Sequence, residues 1–134
     1  MTKSLVAICV AATILPLQAQ DAQPRTRPLW LLLKKTLMGA DGPEYFEMNM
    51  KGAELPPLAG KLVSPTPTDH PSILLLAMDG DKPQVTLRFA HGYRRPIAVG
   101  SLITFEGVGM SFTQEPFMLT LGVDTDRQGS LSVK

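Results

Sequence analysis

The chain of 134 residues carries 13 Lys and Arg against 12 Asp and Glu, with 44% hydrophobic and 6% aromatic residues. That length suits one domain. So close a balance of charge lacks the basic footprint of a nucleic-acid binder and offers little overall steering toward anionic membranes. The single cysteine, Cys9, excludes an internal disulfide and any multi-thiolate metal site.

The opening MTKSLVAICVAATILPLQAQ places Lys3 before an apolar run from Leu5 to Leu17, with Ala19 at the point of a signal-peptidase cut. A positive start, a short apolar run and a small residue at the cut form the export pattern. The run is shorter than the roughly 20 apolar residues of a membrane span, and Pro16 interrupts it. Cys9 lies inside the run and not at its end, so it is not placed for lipidation. Residues 1–19 are therefore expected to be removed, leaving a mature chain without cysteine and without a stable membrane anchor. Its fold must rest on its core, even in a compartment that permits disulfides.

Residues 20–28, QDAQPRTRP, are polar and read as a flexible lead-in. PLWLLLKKTLMG is a short apolar run between Pro28 and Gly39, with Lys34-Lys35 cutting the stripe. Such runs are ambiguous between strand and helix, and strand is the reading for Leu29–Leu37. DGPEYFEMNMKG carries a helix: Asp41 as cap, Pro43 in the first turn, Glu44 three residues past the cap. Tyr45 and Met48 are expected to face inward, with Phe46 and Met50 near that face, and Gly52 to end the element.

From Gly60 onward the pattern is β. GKLVS, SILLLAM, QVTLRF, SLITFEGV and FMLTLGV are separated by PTPTDHP, DGDKP, AHGYRRPIAVG and GMSFTQEP, all rich in turn residues. Alternation points Val85, Leu87 and Phe89 inward, and likewise Ile103, Phe105, Phe117, Leu119, Leu121 and Val123. Closing such strands into a barrel would remove exposed edges.

GKLVS, PSILLLAM, PQVTLRF, AVGSLITFEGVGMSF and PFMLTLGVD together resemble an OB-fold-like domain. FEGVGMSFTQEPFMLTL resembles the closing hairpin of uncharacterised exported bacterial domains, some attached to tetratricopeptide-repeat proteins. The resemblance covers Ala59 to Asp124 and contains no catalytic motif. It departs from the family where a helix usually joins the third and fourth strands, because AHGYRRPIAVG has no helical pattern. The resemblance implies a binding surface on the second and third strands and the flanking loops, without implying nucleic acid.

The expected fold is thus mainly β: a small five-stranded OB-like barrel preceded by one short α-helix and an additional N-terminal strand. Residues 29–58 would pack on the barrel, 59–124 would form it, and 125–134 would be a loose tail. Candidate surface residues are Arg88 on the third strand, Tyr93, Arg94 and Arg95 in the following loop, and Phe112 by the closing hairpin. A ligand-binding module predicts a concave groove between the loops at Asp79–Pro83 and His91–Pro96; an assembly domain predicts a flat apolar patch.

Enzymatic motifs are lacking. His70 and His91 fall at one end of the sheet and Asp79 and Asp81 at the other, so they do not converge as zinc ligands. Asp79-Gly80-Asp81 continues into Lys82-Pro83, a turn and not a calcium loop. No serine sits in a nucleophile elbow, and nothing pairs Glu106 with Glu115 for glycoside hydrolysis. The expectation is an exported, non-enzymatic binding or interaction module without cofactor or metal. Its partner would be an envelope protein or small molecule. A structural accessory domain is the alternative, and a metal-dependent hydrolase ranks behind both.

Overall fold

The computed structural model describes residues 23–124 and 131–134. The signal-peptide reading of residues 1–19 lies outside them. Within them the protein is mainly β, with a mixed seven-stranded sheet and a helical segment in front of it. No helix among the described residues is long and apolar enough to cross a membrane.

The first element corrects two expectations. Helix α1 runs Gln23–Met38, so the lead-in is helical from Gln23 and Leu29–Leu37 is not a strand. The physical reason is spacing. Trp30, Leu33, Lys34 and Leu37 recur at helical intervals and form the face turned to the sheet. Leucine is a strong helix former, and only Thr36 is β-branched over Leu29–Met38. Lys34 does not break the stripe, because its long stem lies along the core and its ammonium reaches Asp79.

Helix α2, Gly42–Tyr45, continues into a π turn over Phe46–Met50, closed by the Lys51 N–H donating to the Phe46 carbonyl at 2.9 Å. Asp41 precedes it but makes no side-chain cap. The inward face is shifted by one residue from the expectation. Phe46 and Met50 are buried, whereas Tyr45 and Met48 are exposed. Phe46 stacks on Phe112 with centroids 5.8 Å apart, which fixes this face. Gly52 ends the element at φ 78°, a conformation that favours glycine.

Strands β1 (Leu58–Thr66), β2 (Ile73–Ala77) and β3 (Pro83–Phe89) form an antiparallel meander. β4 (Leu102–Phe105) pairs antiparallel with β1, while β5 (Val108–Gln114) and β6 (Phe117–Val123) make a hairpin. β6 lies parallel to β3, and β7 (Leu131–Val133) pairs with β4. The order across the sheet is β5-β6-β3-β2-β1-β4-β7. The connection from β3 to β4 has no helix, as its sequence implied.

The sheet is not closed into a barrel, and seven strands replace the expected five. Extra segments cover the two edges that closure would have joined. β7 takes the free side of β4, so the tail expected to be loose contributes a strand at Leu131–Val133. Residues 51–55 cover β5. There Gly52 and Leu55 donate to the carbonyls of Gly109 and Gly107, at 2.9 and 2.8 Å, and Gly109 donates to Ala53 at 3.1 Å. Covering an edge pairs its donors and acceptors, and on the β4 side the new edge is the three-residue β7.

Most of the alternating residues form the core as expected: Val85, Leu87, Ile103, Leu119 and Leu121 are fully buried, and Phe89, Phe105 and Val123 nearly so, while Phe117 is only half-buried at its edge. α1 joins it through Trp30, whose ring meets Phe117 edge-on at 5.7 Å. Its end is held from the hairpin, where Gln114 Nε2 donates to the Leu37 and Gly39 carbonyls, both at 2.9 Å. The Leu37 carbonyl is one that a helix terminus leaves without an internal donor; the Gly39 carbonyl also accepts from the Gly42 N–H at 3.0 Å.

Candidate binding surface

β4 and β5 are separated only by Glu106-Gly107, yet they pair on opposite flanks of the sheet, β4 with β1 and β5 with β6. At this seam lies a groove of about 610 Å³ that runs onto the outward face of β3. Its floor follows from the register. Arg88 on β3 stands opposite Gly122 on β6, and Gly122 stands opposite Val108 on β5. With no side chain at Gly122, Met110 lies against the backbone there, its sulfur 3.2 Å from where a Cβ would stand, and a trough runs between the Arg88 side chain and the exposed Val108 and Met110.

Glu54, Glu106 and Asp124 also line this groove, and all three are engaged in interactions. Among the described residues Arg88 is the groove's one cation; it is exposed and makes no ion pair with any of them. The surface therefore offers an apolar wall and one cation among three carboxylates that are each engaged.

The sequence candidates fall into two groups. Arg88 lies in the groove. Tyr93 follows at the same end of β3, half-buried against Phe89 with centroids 6.4 Å apart, and Arg94 and Arg95 are exposed just after it. Phe112 belongs elsewhere. It lies between Phe46 and Phe117, at 5.8 and 5.4 Å, toward the end of the sheet where β3 begins. The loops at Asp79–Pro83 and His91–Pro96 stand at opposite ends of β3, so they do not wall one groove.

His70 and His91 do share an end of the sheet, where the Tyr93 N–H donates to the Pro71 carbonyl at 2.7 Å. Among the described residues, no three His, Cys, Asp or Glu gather where they could hold a metal. Sequence reasoning missed Val108, Met110 and Gly122. The available signal was Gly122 itself, a glycine inside an alternating strand, which marks a bulge or a close approach.

One further polar cluster is structural. Lys34 Nζ lies 3.2 Å from Asp79 Oδ2 and 3.5 Å from Oδ1, and 5.9 Å from the centre of the Phe117 ring. Burial pushes the Asp79 carboxyl up. The Lys34 hydrogen bond and charge outweigh this with help from Gln84 and Trp30, and hold it below the ordinary carboxylate value. The Trp30 indole N–H is buried with no partner at bonding distance among the described residues. Its effect on Asp79 is that of an oriented dipole, not of a bond.

Comparison with protein-family models, with curated proteins and with solved structures gives no match.

Proposed function

We propose that this chain is an exported, non-enzymatic binding module of the bacterial cell envelope, built on an OB-like path. Reading β4 and β5 as one strand interrupted at Glu106-Gly107 gives five principal strands, with β7 and residues 51–55 as additions. A five-stranded, partly open barrel that binds on its second and third strands is the OB arrangement. Arg88 lies on the third of these strands.

The observation that carries the reading is Arg88 above the Gly122 trough, with Val108 and Met110 as its apolar wall. Apolar grooves with a few placed polar groups are the usual form of small-ligand sites. The ligand class is elongated and amphipathic, with an anionic group for Arg88 and an apolar stretch for Met110.

Decanoate serves as probe, with decyltrimethylammonium as the opposite-charge control, and amide shifts are followed by NMR. Decanoate should perturb Gly122, Met110 and Arg88, and both Arg88→Gln and Met110→Asp should abolish the effect. An equal response to both probes, or shifts centred elsewhere, would overturn the reading.

The alternative, an accessory domain that assembles with another envelope protein, draws support from β7. This three-residue strand lies at the end of the ladder, where a further strand could add.

A further inference from the structure

We infer that the outward face of α1 lies on an anionic lipid surface. Nine large hydrophobic side chains are notably exposed among the described residues, and six of them fall within residues 29–48. Four are on α1: Leu29, Leu31, Leu32 at 62% and Met38 at 50%. The core-facing side of the helix is already accounted for by Trp30, Leu33, Lys34 and Leu37. Among the described residues, packing thus leaves the other side apolar and uncovered.

Charge selects the occupant. α1 contains Arg25, Arg27, Lys34 and Lys35 and no acidic residue. With these four set aside from the thirteen basic residues, nine face twelve acidic ones in the rest of the sequence. The near-zero total therefore conceals a cationic helix on an otherwise acidic chain. Lys34 is committed to Asp79 and Arg27 borders a recess shared with Asp79 and Asp81, whereas Lys35 is exposed among Leu31, Leu32 and Met38. The nearest following acids, Asp41, Glu44 and Glu47, lie beyond α1, and Glu47 pairs with Lys51 at 3.5 Å.

Exposed leucines interleaved with basic residues on one helix are what an interfacial helix presents to anionic headgroups. A second copy would bring like charges together, and a neutral bilayer would leave Lys35 unanswered. This inference stands apart from the groove at Gly122.

The test uses the full chain with Cys9→Ser and Leu32→Cys, labelled with an environment-sensitive NBD dye; Ser132→Cys on β7 is the control position. Vesicles are phosphatidylcholine with or without phosphatidylglycerol. The dye at position 32 should shift to the blue and brighten only with phosphatidylglycerol, and high salt should reverse this, while the control stays unchanged. Lys35→Gln should weaken partitioning roughly fivefold, the share of one basic residue near such a surface, and Lys35→Glu should weaken it further.

Trp30 emission, from under the opposite face of α1, confirms that each variant is folded. No response at position 32, or a response unaffected by the charge substitutions, overturns the inference. A blue shift that grows with protein concentration without lipid also overturns it, and assigns the face to a second copy.

Discussion

Replacing Lys34 by methionine should destabilise the protein and change how its stability depends on acid. A hydrogen bond to a charged group contributes about 1.5–3 kcal/mol. Here the contact is at the long end, 3.2 Å, and the Lys34 side chain is 29% exposed, so about 1–2 kcal/mol is the reasonable share. In Lys34→Met the Asp79 side chain, only 14% exposed, keeps its burial and loses its strongest partner.

In the native protein Asp79 is held below its unfolded value. Its contribution is therefore present above the unfolded pKa, about 3.9, and is lost as pH falls through the lower folded value. In Lys34→Met the burial that pushes the carboxyl up is opposed much less, so the folded state comes to favour the protonated form. The stability gap between the two proteins should then be widest near neutral pH and shrink on acidification. Urea unfolding followed by Trp30, the sole tryptophan, measures this, and Asp79→Asn removes the titration as the reference. A gap of the same size at about pH 7 and about pH 3.5 would refute the assigned role of the pair.

Two other substitutions test the covered edge and the helix end. A Cβ at position 109 would overlap the Met50 carbonyl oxygen, so Gly109→Ala should cost about 1–3 kcal/mol, read from urea midpoints. The loss should spread to Lys51–Leu55, where amide exchange should quicken. Gln114→Ala removes both donors to the end of α1 and should lower stability by about 1 kcal/mol. Gln114→Glu should cost more at neutral pH, because it places negative charge at the negative end of the helix dipole, and should partly recover in acid.

Much of the sheet was legible because its signal is local. The in-out alternation of QVTLRF named Val85, Leu87 and Phe89, and all three are buried. The helical segment was harder. Lys34 interrupts an apolar run in sequence, and only the position of Asp79, 45 residues on, shows that a charge belongs on that face. Likewise Tyr45 and Phe46 differ little in hydrophobicity, and the Phe112 ring decides which of them turns inward.

The groove was illegible for the same reason. Its parts come from β3, β5 and β6, and their register is a property of the pairing rather than of any one strand. Gly122 carried a hint; Val108 and Met110 carried none.

The absence of closure and the presence of the groove have one origin. Between Phe105 and Val108 the chain leaves one flank of the sheet and joins the other, so the hydrogen-bonded ladder is interrupted at Glu106-Gly107. A strand running unbroken through this point would be paired along its length and would leave less room beside Gly122. Instead β7 pairs with β4 and Lys51–Leu55 with the start of β5, and the seam between them remains the place where side chains from several elements face solvent together. Gly107 fits this role, since a Cβ there would lie 3.0 Å from the Leu121 Cβ. The backbone thus passes close over the core at the point where the ladder breaks. Edge protection by added segments, not by closure, leaves this fold a recess that a sealed barrel would lack.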